Sequence, residues 1–281
     1  MRSVLFEIPT PWGGIPLHSY GLMILVGFFL ATWVAAREAR RRHLPEFVYD
    51  LGVVMLLCGL LGGRLNHYIQ YHDAYEGKSF LEFFKLWNGG LVFYGGAISG
   101  FAGGLVYLFW KRLPILDALD AMSLGAPIAM AFGRIGCFLH GCCFGRLCSP
   151  TYALAVQYPT GAPVHERHLA RGLIEMQSDL PLLVHPAQLY QSAHDFLMFA
   201  LMFLYLRSPR QPPGTGMSLI FVLYGIGRFA IEGLRGDHSE EQFAGWTYSQ
   251  TLSLVLILVF GVLFVVFWIR GARRVPAPAA S

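Results

Sequence analysis

Seven nearly unbroken apolar stretches divide the chain, near residues 20–36, 50–62, 91–110, 115–132, 187–206, 216–235 and 251–269. Each approaches or reaches the roughly twenty residues that a helix needs to cross hydrocarbon. The pattern therefore predicts an all-α membrane protein with about seven transmembrane helices. The second stretch is the shortest, and Gly62, Gly63 and Arg64 read as its end. Two polar stretches, 64–88 and 140–185, are too long for hairpin loops and predict a small head region inserted within a single polytopic membrane domain spanning 1–281. Gly96, Gly100 and Gly104 form a small-xxx-small ladder that lets helices approach closely, and Gly59 with Gly63 reads the same way.

Composition agrees with this pattern. The chain is 55% hydrophobic and 14% charged, whereas a soluble domain carries about a quarter charged residues. Basic clusters at 37–43, 111–112, 207–210 and 270–274 fall on alternate connections and at the C-terminal end. Basic residues favour the cytoplasmic side, so the N-terminus is expected outside, the C-terminus in the cytoplasm, and both head segments outside. The net charge of +4 comes from these clusters. It is a topology signal and gives no support to nucleic-acid binding. The opening MRSVLFEIPTPWGGIP does not read as a signal peptide.

Ionisable residues inside apolar spans are costly and therefore point to function. Arg134 stands near the outer end of the fourth span. In YGIGRFAIEGLRGD, Tyr224, Arg228, Glu232 and Arg235 are spaced 4, 4 and 3, which predicts one helix face. Tyr20, Tyr94 and HPAQLY (185–190) open their spans at the same outer level. Five helices thus bring polar groups to one depth, predicting a cavity open to lipid and the outer aqueous phase. Tyrosine and arginine also anchor helices at this depth without any chemistry. The arginine fork suits phosphate, and at an outer leaflet phosphate means a lipid headgroup. Residue chemistry alone reaches a membrane protein that handles lipid phosphate.

The segments HSYGLMILVGF, GGLVFYGG, GRIGCFLHGCCFGR, HPAQLYQS and YGIGRFAIEGLRGD occur in this order over roughly residues 15–270. Together they resemble the prolipoprotein diacylglyceryl transferases of bacterial inner membranes. The resemblance implies transfer of the diacylglyceryl group from phosphatidylglycerol to the lipobox cysteine of a prolipoprotein signal peptide. It also implies a multi-pass enzyme in the lipid bilayer with its active site toward the periplasm, acting as a monomer. On that resemblance Arg134 holds the lipid phosphate, Arg228 polarises the leaving group, and Glu232 orients an arginine. Tyr20, Tyr224, Arg235, His185 and Gln188 contact the headgroup, with His185 alternatively capping the fifth span. Gly133, Gly136 and Gly145 let backbone approach it. The chain departs from the family pattern at Tyr94, where histidine is usual, and at Cys137, His140 and Cys142, where Asn, Asn and Glu are common. Tyr94 is then expected to orient headgroup or thiol, and His140 to take the thiol proton. Neither metal nor organic cofactor is required. The alternatives are a phospholipid-headgroup transferase with another acceptor, and a lipid-binding or transport protein without chemistry.

Cys137, Cys142, Cys143 and Cys148 are spaced 5, 1 and 5, without the paired CxxC of structural zinc sites. Two readings stay open: small packing residues, or a disulfide from Cys142 or Cys143 to Cys148 in an oxidising compartment. Arg146, His165, Arg167, His168 and Arg171 are expected to be solvated or, alternatively, to attract anionic lipid or the prolipoprotein.

Overall fold

The computed structural model describes residues 4–10, 13–75, 83, 90, 92–208, 211–236, 242–243 and 245–272. An antiparallel hairpin of β1 (Val4–Thr10) and β2 (Gly13–His18) leads into α1 (Ser19–Arg41). The chain continues through α2 (Val48–Gln70), a 3-10 turn at His72–Tyr75, α3 (Phe93–Trp110) and α4 (Ile115–His140). Then follow α5 (Pro163–Ala170), α6 (Ala187–Arg207) and α7 (Thr215–Glu232). Strands β3 (Gln242–Phe243) and β4 (Trp246–Thr247) pair before the last helix, α8 (Tyr248–Ala272).

Among the described residues, five helices are long and apolar enough to cross a membrane: α1, α2, α4, α7 and α8. The apolar part of α3 is shorter, Gly95–Trp110. Helix α6 has 21 residues, and its first half carries Gln188, Gln191, Ser192, His194 and Asp195. Large apolar side chains remain exposed on these helices, as at Leu252, Val255, Leu258, Val262 and Val265 of α8. Lipid tails would cover such a surface, which water would not tolerate at this extent. The protein is thus an all-α membrane protein.

Two boundaries differ from those read in the sequence. Helix α2 does not stop at Gly62; it continues through Gly63 and Arg64 to Gln70. Glycine in a membrane helix breaks nothing when a neighbour packs against it. Helix α4 likewise runs past Arg134 to His140. It ends at Gly141, whose φ of 85° gives the left-handed turn that closes many helices. There the amides of Gly141 and Cys142 both donate to the Cys137 carbonyl, at 2.9 and 3.2 Å. Most of 76–89 lies outside the described residues.

The chain divides into two compact units, Met1–Val34 with Ser123–Ser281, and Ala35–Met122. In the second unit α2 packs on α3 through the expected glycines. A Cβ on Gly96 would lie 3.0 Å from the Gly59 carbonyl oxygen, and one on Gly100 3.0 Å from that of Met55. Its core gathers Ala35, Ala39, Phe47, Leu51, Leu108 and Ala121. Part of the basic cluster at 37–43 is paired there: Glu38 accepts from Arg41 at 2.6 Å and Arg42 at 3.0 Å, and Arg42 also faces Asp120 at 3.5 Å. In the first unit α7 packs on both α6 and α8. Gly225 faces Ile257 and Ser253 of α8, and Gly227 receives the His194 ring of α6. Phe221 stacks on Phe260 with ring centroids 4.1 Å apart.

Candidate active site

The first unit brings most of the predicted residues together, beginning with α7. The four-residue spacing does what it promised: Arg228 Nη2 lies 2.8 Å from Glu232 Oε2. The same Nη2 donates to Ser249 Oγ at 3.1 Å, and Glu232 Oε1 accepts from Thr247 Oγ1 at 3.2 Å. Glu232 is buried, so this ion pair has little water to compete with it. Arg228 Nη1 is buried too, and it has no hydrogen-bond partner among the described residues. Thr247 and Ser249 were not anticipated. Their only signal was the polar run TYSQT (247–251) opening the last span.

Arg235 departs from the expected stripe. Helix α7 stops at Glu232 with Gly233 as its cap, and Arg235 pairs in an antiparallel bridge with Gly145. Three segments are tied at this point. The Gly145 amide donates to the His185 carbonyl at 2.9 Å, the His185 amide to Arg146 at 2.9 Å, and the Arg146 amide to Leu234 at 2.8 Å. The Gly236 amide closes the set on the Phe144 carbonyl at 3.1 Å. A Cβ at Gly145 would sit 2.5 Å from the His185 oxygen and 2.9 Å from that of Leu234. Backbone from 185 and 234, more than any ligand, therefore explains this glycine.

Helix α4 supplies Gly133, Arg134, Gly136, Cys137 and His140. A Cβ at Gly133 would meet open space, whereas one at Gly136 would press on Tyr20 Cδ2 at 3.1 Å. Gly136 thus seats α1 on α4, and Tyr20 lies beside His140 with ring centroids 6.2 Å apart. His140 Nδ1 is buried with no hydrogen-bond partner among the described residues. Arg134 is half-buried and makes no hydrogen bond or ion pair to a described residue. Its charge, with those of Arg235 and Glu232, bears on Arg228. Three cationic forks therefore share one field, and two of them retain donors for an anion.

The remaining predicted residues have structural partners. Gln188, buried, donates from Nε2 to the Cys142 carbonyl at 2.7 Å and to Tyr158 Oη at 3.0 Å. It thereby holds the cysteine loop. His185 does not cap α6, whose N-cap is Pro186 without a side-chain bond. Its Nδ1 instead lies 3.3 Å from Tyr190 Oη, which is 2.9 Å from Tyr152 Oη. Tyr224 packs beside the Leu124, Met198 and Met202 cluster. Tyr94 begins α3 in the second unit, and its side chain lies outside the described residues.

His165 and His168 were expected in solvent, but both are buried. His165 Nδ1 accepts from the Gly161 amide and His168 Nδ1 from the Leu182 amide, each at 3.2 Å. Two loop amides need acceptors where water is absent, and the Nδ1 lone pairs provide them. Burial, with the charges of Arg171 and His165, holds the His168 pKa below its ordinary 6.5. All five cysteines are free thiols, so no staple joins Cys142 or Cys143 to Cys148.

The sequence profile of the prolipoprotein diacylglyceryl transferases matches residues 4–267. The chain belongs to that family. Its relatives include the phosphatidylglycerol–prolipoprotein diacylglyceryl transferase of Clostridium tetani, 31% identical over 260 residues that cover 92% of this chain and 95% of the relative. The enzymes of the same name from Desulfotalea psychrophila and Paraburkholderia xenovorans are 31% and 30% identical. They cover 94% and 96% of this chain and 94% and 95% of their own lengths.

Proposed function

We propose that this protein transfers the diacylglyceryl group of phosphatidylglycerol to the lipobox cysteine of prolipoproteins, releasing glycerol phosphate. Family membership over nearly the whole chain supports the reaction. Within the structure, the observation that carries it is the pair of arginines with unengaged donors, Arg134 and the buried Nη1 of Arg228.

The substrate sulfur attacks the glycerol carbon next to the phosphate ester, forming a C–S bond as the C–O bond breaks. Glycerol phosphate leaves with the oxygen and its electron pair, and the thiol proton passes to His140. Arg134 binds the ester phosphate, and Arg228 stabilises the charge that grows on the leaving oxygen. Such preoriented donors act strongly where water is scarce. Glu232, Ser249 and Thr247 keep Arg228 in place. Tyr20, Gly133, Gly136 and Arg235 line the headgroup region, while Gln188, His185 and Gly145 hold its loops. No step calls on a metal or an organic cofactor.

The seven helices of 18 to 26 residues support seven crossings. With basic clusters inward, the N-terminus and the head segments near 64–88 and 140–185 face the periplasm, and the C-terminus the cytoplasm. The enzyme works as a monomer and a single polytopic domain in the inner membrane.

The test is purified protein with phosphatidylglycerol vesicles and a lipobox peptide. Glycerol phosphate should appear in equal amount to peptide carrying the diacylglyceryl mass. Lipid retention without release would identify a binding protein and overturn the reading.

A further inference from the structure

The sequence spacing of the cysteines lacks a zinc signature, yet the fold gathers three of them. The Sγ atoms of Cys137, Cys142 and Cys143 all lie within 4.8 Å of one another. Two local features bring this about. The turn at Gly141 folds the chain back so that Cys142 faces the last turn of α4, its amide and thiol both directed at the Cys137 carbonyl. Cys143 then adopts a φ of 60°, a left-handed conformation that side-chain-bearing residues rarely take. Gln188 pins this geometry through the Cys142 carbonyl. Neither turn nor strain is needed merely to pack three small apolar groups.

We propose that Cys137, Cys142 and Cys143 form a three-thiolate site for a soft d10 cation, with copper(I) as the ion it suits best. Thiolates select soft ions such as copper(I), zinc and iron–sulfur clusters. Structural zinc asks for four ligands, and no fourth histidine, cysteine or carboxylate completes the group among the described residues. Copper(I) is content with three sulfurs. On binding, each thiol that ligates releases its proton to solvent and the copper keeps its oxidation state. Three thiolates and one copper(I) leave two negative charges. The guanidinium charges of Arg134 and Arg235 both bear on Cys143 and offset them. Cys142 and Cys143 are partly exposed, which leaves an ion a way in.

The experiment uses the full-length, reduced protein in detergent without oxygen, titrated with copper(I) against a competing chelator. One copper per chain should be retained, with three sulfur neighbours by X-ray absorption. Bound copper should protect Cys137, Cys142 and Cys143 from alkylation and leave Cys148 reactive; this mass-spectrometric readout needs no variant. Cys137→Ser, Cys142→Ser and Cys143→Ser should each weaken retention by roughly 100-fold or more, since each removes a ligand outright and loss of an outer-shell partner alone costs about 10–100-fold. Cys148→Ser and Cys58→Ser should match the parent. The site is refuted if the parent loses its copper to the chelator, if only two sulfurs surround the ion, or if a Cys137/Cys142/Cys143 triple serine variant binds as well as the parent. None of these outcomes depends on transferase activity.

Discussion

Arg228 turns one nitrogen toward Glu232 and Ser249 and leaves the other, Nη1, buried and unengaged. Lysine at this position would still meet Glu232 but could not present a second donor from a fixed plane. Arg228→Lys should therefore lower kcat/KM for transfer by roughly 100- to 1000-fold, the size expected for one oriented donor at a developing charge. Its thermal midpoint should stay close to that of the parent. For His140 the chemistry sets a ceiling. A thiol of pKa near 8.5 is about 3% ionised at pH 7, so a base can gain at most about 30-fold by forming the thiolate. His140→Ala should show a deficit of that order at pH 7. The deficit should fade as the pH rises past 8.5 and the substrate ionises unaided. A deficit that is constant with pH would assign His140 a packing role beside Tyr20.

The elements decide which glycines matter for folding and which for binding. Gly145→Ala drives a methyl group into the carbonyls of His185 and Leu234. Neither backbone can retreat without breaking the tie that holds residues 144–146, so overpacking of about 1–3 kcal/mol is expected. It should appear as a lower melting temperature together with lost activity. Gly133→Ala meets nothing within 4 Å. It should melt like the parent and raise KM for phosphatidylglycerol instead. This contrast also marks what could be read from the sequence. Apolar runs locate the long helices because burial in lipid requires them, and the spacing of Arg228 and Glu232 yields their ion pair because helical geometry fixes it. The end of α2 differs because α3 packs on its glycines, and that of α4 because a helix closes where the backbone turns left-handed, at Gly141, and not at the first glycine or arginine met. The bridge that takes Arg235 off the α7 stripe and the thiol cluster depend on pairings between distant segments and on one left-handed cysteine, for which sequence spacing holds no signal.

For the molecule as a whole, the head segment between α4 and α6 carries a buried histidine that makes it sensitive to acid. Its small core of Phe144, Tyr158, Val164 and Val184 is bordered by His168, which accepts the Leu182 amide and is kept neutral by burial. Between pH 6.5 and the lower folded value, the unfolded segment takes up a proton that the folded one refuses. Stability is therefore complete above pH 6.5 and declines as the pH falls below it. Hydrogen exchange over residues 156–184, corrected for the intrinsic pH dependence of amide exchange, should lose protection between pH 7.5 and 5.5, and His168→Gln should flatten that dependence. The tie among residues 144–146, 184–185 and 234–236 has a consequence for biosynthesis. Leu234 is made about 50 residues after His185, or roughly 3–10 s later at 5–20 residues per second. During that interval α4 and its arginine are already in the membrane, while the loop behind them is held from one side alone. The tie closes only when the seventh of the eight helices has been translated and its trailing turn has emerged, so a nascent chain carries α1 through α6 before this junction is complete.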